Sequence, residues 1–117
     1  SKLPRIFHVN WFRKDDDGKF LWPGYGENMR VLKWIIERCN DQAGATRTPI
    51  GYVPRPIDID LTGLSLSEEV LQALLAIDRD VWEREAADID VYFAGFGERV
   101  PVALKQQIAR IRAELAS

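Results

Sequence analysis

The sequence predicts an α+β chain: a small N-terminal β-hairpin and strand region followed by about four helices. Three observations carry that expectation. Period-two alternation with aromatic and β-branched residues is confined to the N-terminal end. Asp17-Gly18 is a hairpin turn signal, because both residues tolerate a positive φ. Downstream, apolar residues recur at helical spacing in four runs separated by polar, glycine or proline stretches.

In "RIFHVNWF", Phe7, Val9 and Trp11 alternate with Ile6, His8, Asn10 and Phe12, the pattern of a strand. "KFLW" returns as its partner until Pro23, which has no ladder donor. Val31, Leu32, Ile35, Ile36 and Cys39 then form one face of a helix, with Glu27 and Asn28 suited to its first turn. "NDQAGATRT" reads as a polar loop and "PIGYVPRP" as a short extended piece. Ser65 and Glu68 have capping-box spacing ahead of "VLQALLAI". Asp78 is placed to cap a further helix with Val81, Trp82, Ala86, Ile89 and Phe93 inward, ended by Gly95 and Gly97. Pro101 opens a last helix with Leu104, Ile108, Ile111 and Leu115 on one stripe.

At 117 residues the chain is sized for one domain. Its 46% hydrophobic and 29% charged residues are ordinary for a globular protein. A formal charge of -2 gives no reason to expect a nucleic-acid or membrane-surface partner, and no apolar run is long enough for a membrane span. Cys39 has no internal partner for a disulfide, so a reducing interior and a small buried helical residue are expected.

Candidate chemistry is sparse. Asp15-Asp16-Asp17-Gly18 suggests a calcium loop, but the first ligand position would hold Arg13 and the twelfth Gly24, so a solvated hairpin tip is expected. Gly24-x-Gly26 resembles a dinucleotide fingerprint whose third glycine position is Met29, and no GxxxxGK[ST] motif occurs. His8, the one histidine, has no partner at catalytic spacing and is expected to pack. No catalytic residue and no metal ligand can be assigned.

What remains is an aromatic set: Phe12, Phe20 and Tyr25, with Asn28. Rings on two adjacent strands and a nearby loop can converge into a slot for a flat base, or they can simply be core. Stacking does not tell one purine from another, so discrimination needs hydrogen bonds to the base edge. Guanine shows an O6 acceptor beside N1–H and N2–H donors; adenine reverses the polarity at position six. The amide of Asn28 carries both a donor and an acceptor.

These same stretches carry a resemblance. "FHVNWFRKDDDGKFLWPGYGEN", then "RVLKW" and "TPIGYVP", resemble the C-terminal part of the GTP-dependent phosphoenolpyruvate carboxykinase family. "VWEREAADID" and "ALKQQIARIRAEL" resemble its looser helical tail. The resemblance implies a piece of a larger α/β enzyme, with residues 1–117 the C-terminal part of its nucleotide-binding domain. Residues 1–54 would hold the guanine-pocket hairpin, helix and strand, and residues 55–117 the helical tail. Carried over by position, the base-binding set is Phe12, Phe20, Tyr25, Gly26, Glu27 and Asn28. Tyr25 departs from the family's usual phenylalanine, keeping the ring face and adding a hydroxyl.

The resemblance further implies conversion of oxaloacetate and GTP to phosphoenolpyruvate, GDP and carbon dioxide in gluconeogenesis, in a cytoplasmic and usually monomeric parent. Mn²⁺ and Mg²⁺ would take their ligands upstream, as would the phosphate loop, the substrate arginines and the reactive cysteine. The segment alone is expected to be catalytically silent and, with its covered surface bared, to self-associate. Asn28→Ala is expected to narrow the preference for GTP over ITP, and Phe20→Ala to weaken both equally. A free-standing helical interaction module, its rings mere core, is the alternative.

Overall fold

A computed structural model describes residues 2–117. Among these described residues four α-helices and a two-stranded sheet make an α+β chain, as the sequence predicts. The helices are α1 (Asn28–Cys39), α2 (Glu68–Leu75), α3 (Arg79–Ala94) and α4 (Val102–Ala116), and the strands are β1 (Thr46–Thr48) and β2 (Gly51–Val53). The chain falls into two compact units: residues 1–46 with 52–76, and residues 47–51 with 77–117.

The sheet is not where the alternation places it. Residues 5–12 form no strand, although Phe7, Val9 and Trp11 are half-buried while His8, Asn10 and Phe12 are exposed. The alternation describes the side chains correctly, but among the described residues no neighbouring strand supplies a ladder. The hairpin around Asp17-Gly18 is reduced to a single antiparallel bridge between Lys14 and Phe20. Its turn is nonetheless closed tightly. Gly18 has φ 79°, and Asp15 Oδ1 accepts the backbone N–H groups of Asp17 at 3.0 Å and Lys19 at 2.9 Å. That carboxylate therefore organises the turn. The regular ladder is β1 with β2, and β1 lies inside the stretch expected to be a loop.

In the first unit, four aromatic side chains hold the 2–22 segment and α1. Phe7 meets Trp34 edge to face at 5.9 Å, and Trp11 lies against Trp22 at 5.7 Å. Trp22, Trp34, Ile59 and Leu71 are buried. On α1 the buried position is Trp34, flanked by half-buried Val31 and Ile35; Leu32, Ile36 and Cys39 are exposed. The expected buried role of Cys39 is thus corrected. The helix turns toward the largest ring it carries, and Cys39, at its last position, faces away. Arg5 ties the helix end to the N-terminal segment, donating to Arg38 O and pairing with Asp41 at 2.8 Å.

The segment after β2 is fixed by Asp58, whose side chain is 7% exposed. Arg55 donates to it from Nε and Nη2 at 2.9 Å each and from its backbone N–H at 2.8 Å. Gly44 leaves room for this pair, since a Cβ there would run into the Arg55 guanidinium. The hydrogen bond from the Arg55 side chain, aided by its backbone N–H and its charge, holds the Asp58 carboxyl below the ordinary carboxylate range against the opposing effect of burial. A depressed folded-state value stabilises the fold above the unfolded carboxylate pKa of about 3.9, and that gain is lost as pH falls through the folded value. Asp58→Asn should accordingly flatten the fall in urea midpoint below about pH 4. An acid limb as steep as that of the parent would refute this account.

Helix α2 is capped by Ser67, whose hydroxyl accepts from Val70 N at 3.2 Å, two residues beyond the Ser65 expected from the capping-box pattern. In the second unit Asp78 caps α3 as expected, accepting from Asp80 N and Val81 N at 3.1 Å each. Gly95 follows the last residue of α3, and Pro101 stands at the start of α4. Ala86 of α3 and Ile108 and Leu115 of α4 are buried with Val100. Arg112 clamps α4 to α3 through Glu83 at 3.0 Å and Asp90 at 2.7 Å.

Candidate functional site

The candidate site residues all lie in the first unit. Phe12 and Phe20 stand on either side of the Asp15–Lys19 turn, and that turn brings them together. Their ring centroids are 6.1 Å apart with planes at 63°, an edge-to-face contact. Both rings remain open to solvent, Phe12 at 71% and Phe20 at 58% exposure. The Lys14 ammonium lies 5.1 Å from the Phe20 ring centroid, within cation–π range. Parallel stacking on both faces of a base needs rings about 7 Å apart, twice the ~3.5 Å carbon contact distance. The pair therefore has to rotate and spread by roughly 1 Å to take a base between its faces.

Tyr25 opens a 3₁₀ turn, Tyr25–Glu27, that leads into α1. It is 91% exposed, and no aromatic ring among the described residues pairs with it. Gly24, at φ 125°, turns the chain ahead of it in a conformation that side chains rarely adopt. Gly26 sits inside the turn, and Glu27 pairs with Arg30 at 2.5 Å. Arg30 also donates to Asp60 O at 2.7 Å, so the first turn of α1 is strapped to the segment after β2.

Asn28 is the first residue of α1, but its side chain does not cap the helix. Its Oδ1 instead accepts the indole N–H of Trp22 at 2.8 Å. The sequence reading missed this bond. Trp22 looks like an ordinary core residue, and no spacing rule links position 22 to position 28 across a proline-glycine turn.

A separate concavity of this unit lies elsewhere. It measures about 610 Å³ and is lined by Lys33, Glu37, Arg55, Asp58 and Asp60 among others. Its charges already pair with one another: Arg55 with Asp58, and Lys33 with Glu37 at 2.8 Å and Asp60 at 3.8 Å. No cation there is left over for a ligand. Among the described residues, no three His, Cys, Asp or Glu side chains are grouped to hold a metal ion. Among the described residues no helix is long and apolar enough to cross a membrane.

Residues 1–114 match the family model described as the phosphoenolpyruvate carboxykinase C-terminal P-loop domain. The chain belongs to the GTP-type phosphoenolpyruvate carboxykinase family. It is 50% identical over 115 residues to phosphoenolpyruvate carboxykinase [GTP] of Chlamydia felis, covering 97% of this chain. The enzymes of that name from Chlamydia trachomatis and Arthrobacter sp. are 47% and 45% identical, over 97% and 99% of this chain. In each case the match spans 19% of the relative's length. The matched residues include the ring pair, the 3₁₀ turn and Asn28, and no GxxxxGK[ST] motif occurs among them.

Proposed function

We propose that this chain is the guanine-binding part of a GTP-dependent phosphoenolpyruvate carboxykinase, a lyase converting oxaloacetate and GTP to phosphoenolpyruvate, GDP and carbon dioxide in gluconeogenesis. The observation that carries the reading is the exposed Phe12–Phe20 pair. Two large rings held in contact yet open to solvent are a costly surface unless something flat covers them. Phe12, Phe20 and Tyr25 stack on the base, while Gly26 and Glu27 shape the turn that presents Asn28. The N–H of the Asn28 amide donates to the base edge.

The phosphate loop, the residues that bind oxaloacetate and the ligands of Mn²⁺ and Mg²⁺ lie in the part of the enzyme upstream of this segment. Bound there, the metals would supply charge neutralisation of the nucleotide phosphates. These residues contribute base binding and exclusion of water from the ring faces. The parent acts as a cytoplasmic monomer, and the 117 residues alone are catalytically silent.

With Oδ1 engaged by Trp22, the Asn28 amide has only N–H to offer, and guanine and hypoxanthine meet that group alike through O6. The expected narrowing of GTP over ITP therefore gives way to a preference for six-oxo over six-amino purines. In the full-length enzyme, Asn28→Ala should lower the GTP-to-ATP ratio of kcat/KM by about 5- to 100-fold, the worth of one lost edge contact and an unpaired O6. The GTP-to-ITP ratio should stay within twofold or so. A GTP-to-ATP ratio unmoved by Asn28→Ala would remove this residue from base reading.

A further inference from the structure

We propose that Trp22 is a positioning residue for nucleotide specificity: its indole N–H holds the Asn28 amide in the one orientation that rejects adenine. The inference rests on the guanine-pocket reading above and concerns how that pocket chooses its base.

An asparagine amide by itself is ambivalent. Its oxygen accepts, its nitrogen donates, and the two ends have nearly the same shape, so a free amide can turn to suit either polarity. Facing a six-oxo purine it would present N–H; facing a six-amino purine it could flip and present oxygen. Such a residue would strengthen binding of both bases and select neither.

Trp22 removes that freedom. An indole N–H is a donor only. At 2.8 Å from the indole nitrogen, only the oxygen end of Asn28 can face it, since the flipped amide would set two donors against each other. The indole is itself packed in place, being 8% exposed and lying against Trp11 at 5.7 Å. The other end of the lever is equally fixed. Asn28 begins α1, and the Glu27–Arg30–Asp60 strap pins that first turn. Among the described residues no acceptor meets the Asn28 Nδ2 group, so both of its N–H bonds are left for a ligand.

The consequence is a one-sided reader. O6 of guanine or hypoxanthine accepts from the held N–H. The six-amino group of adenine would set a second donor against it, and the amide cannot flip without breaking the bond to Trp22. Trp22 touches no base and acts only through Asn28.

The test compares kcat/KM for GTP, ITP and ATP in the full-length enzyme carrying this segment, as wild type, Trp22→Phe, Asn28→Ala and the double variant. Ratios between nucleotides within one preparation cancel any loss of folded protein. Trp22→Phe keeps a buried ring and deletes the donor. It should lower GTP over ATP, and ITP over ATP, by about 3- to 10-fold, the range for one hydrogen bond, and leave GTP over ITP unchanged. In the Asn28→Ala background it should change none of the ratios further. A purely structural role for Trp22 would lower the melting temperature and overall activity without moving these ratios.

If Trp22→Phe is too unstable to assay, benzothienylalanine at position 22 keeps the bicyclic shape without the N–H, and the same drop is expected. A shift with Asn28→Ala but none with the loss of the Trp22 donor would overturn this inference and leave the pocket reading standing. No shift with Asn28→Ala would remove Asn28 from base reading and this inference with it, leaving the ring pair to be judged by Phe20→Ala.

Discussion

Trp34→Ala is expected to lower the free energy of unfolding by about 3–5 kcal/mol, the usual cost of deleting a buried large aromatic side chain. Trp34 is 4% exposed, meets Phe7 edge to face at 5.9 Å, and donates its indole N–H to Gly44 O at 3.0 Å. Alanine would leave a ring-sized cavity under α1 and an unpaired carbonyl in the loop after it. Domains of this size are stable by only about 5–15 kcal/mol, so a loss of that order brings the first unit close to unfolding. Trp34→Phe separates the two contributions, keeping most of the packing and losing the N–H, for about 1–2 kcal/mol. Urea denaturation followed by far-UV circular dichroism measures both. A cost below about 1 kcal/mol for the alanine variant would mean that this tryptophan is not the centre of the unit's core.

Phe20→Ala should raise KM for GTP in the full-length enzyme by about 5- to 150-fold, corresponding to the 1–3 kcal/mol that an aromatic ring contributes when it stacks on a base. The same factor should apply to ITP and ATP, because every purine has a π-face. The effect should fall on KM more than on kcat, since a ring stacked on a base contributes equally in the ground state and in the transition state. Phe20→Ala also frees Phe12 from its edge-to-face contact and removes the seat of the Lys14 ammonium. Phe20→Leu controls for that change by restoring bulk without an aromatic face, and its KM should stay high. An unchanged KM in Phe20→Ala would show that the exposed ring pair serves something other than the nucleotide.

Helix positions were legible wherever a local device marked them. Asp78 caps α3 because its carboxylate sits one residue ahead of the helix, and Pro101 bounds α4 through its own fixed backbone preference. Ser67 displaced Ser65 as a cap because both carry the same hydroxyl, and the choice depends on which residue is extended where α2 begins. Helical spacing correctly identified α1, but its buried side is centred on Trp34, a residue outside the predicted stripe. Periodicity weights apolar residues alike, whereas packing is governed by the largest surface that can be buried.

The strand reading shows the same division. Alternation in residues 5–12 specifies which side chains turn inward, and those side chains do turn inward. A β-strand also needs a partner's backbone groups, and no pattern within one segment says where those are. The ladder formed by β1 and β2 was missed for the converse reason: three residues are too few for a period to show.

The candidate site divides along the same line. The amino-acid order by itself determined which residues are candidates: two phenylalanines flanking an Asp-Gly turn, a tyrosine in a glycine-bounded loop, and an asparagine at a helix start. These are local features, set by turn chemistry and helix initiation, so a linear reading can find them. Only the tertiary structure decided what the asparagine can say. Its oxygen is taken by Trp22 because that indole is buried against Trp11 with its N–H aimed at the first turn of α1. A buried donor must find an acceptor, and which one it finds depends on packing.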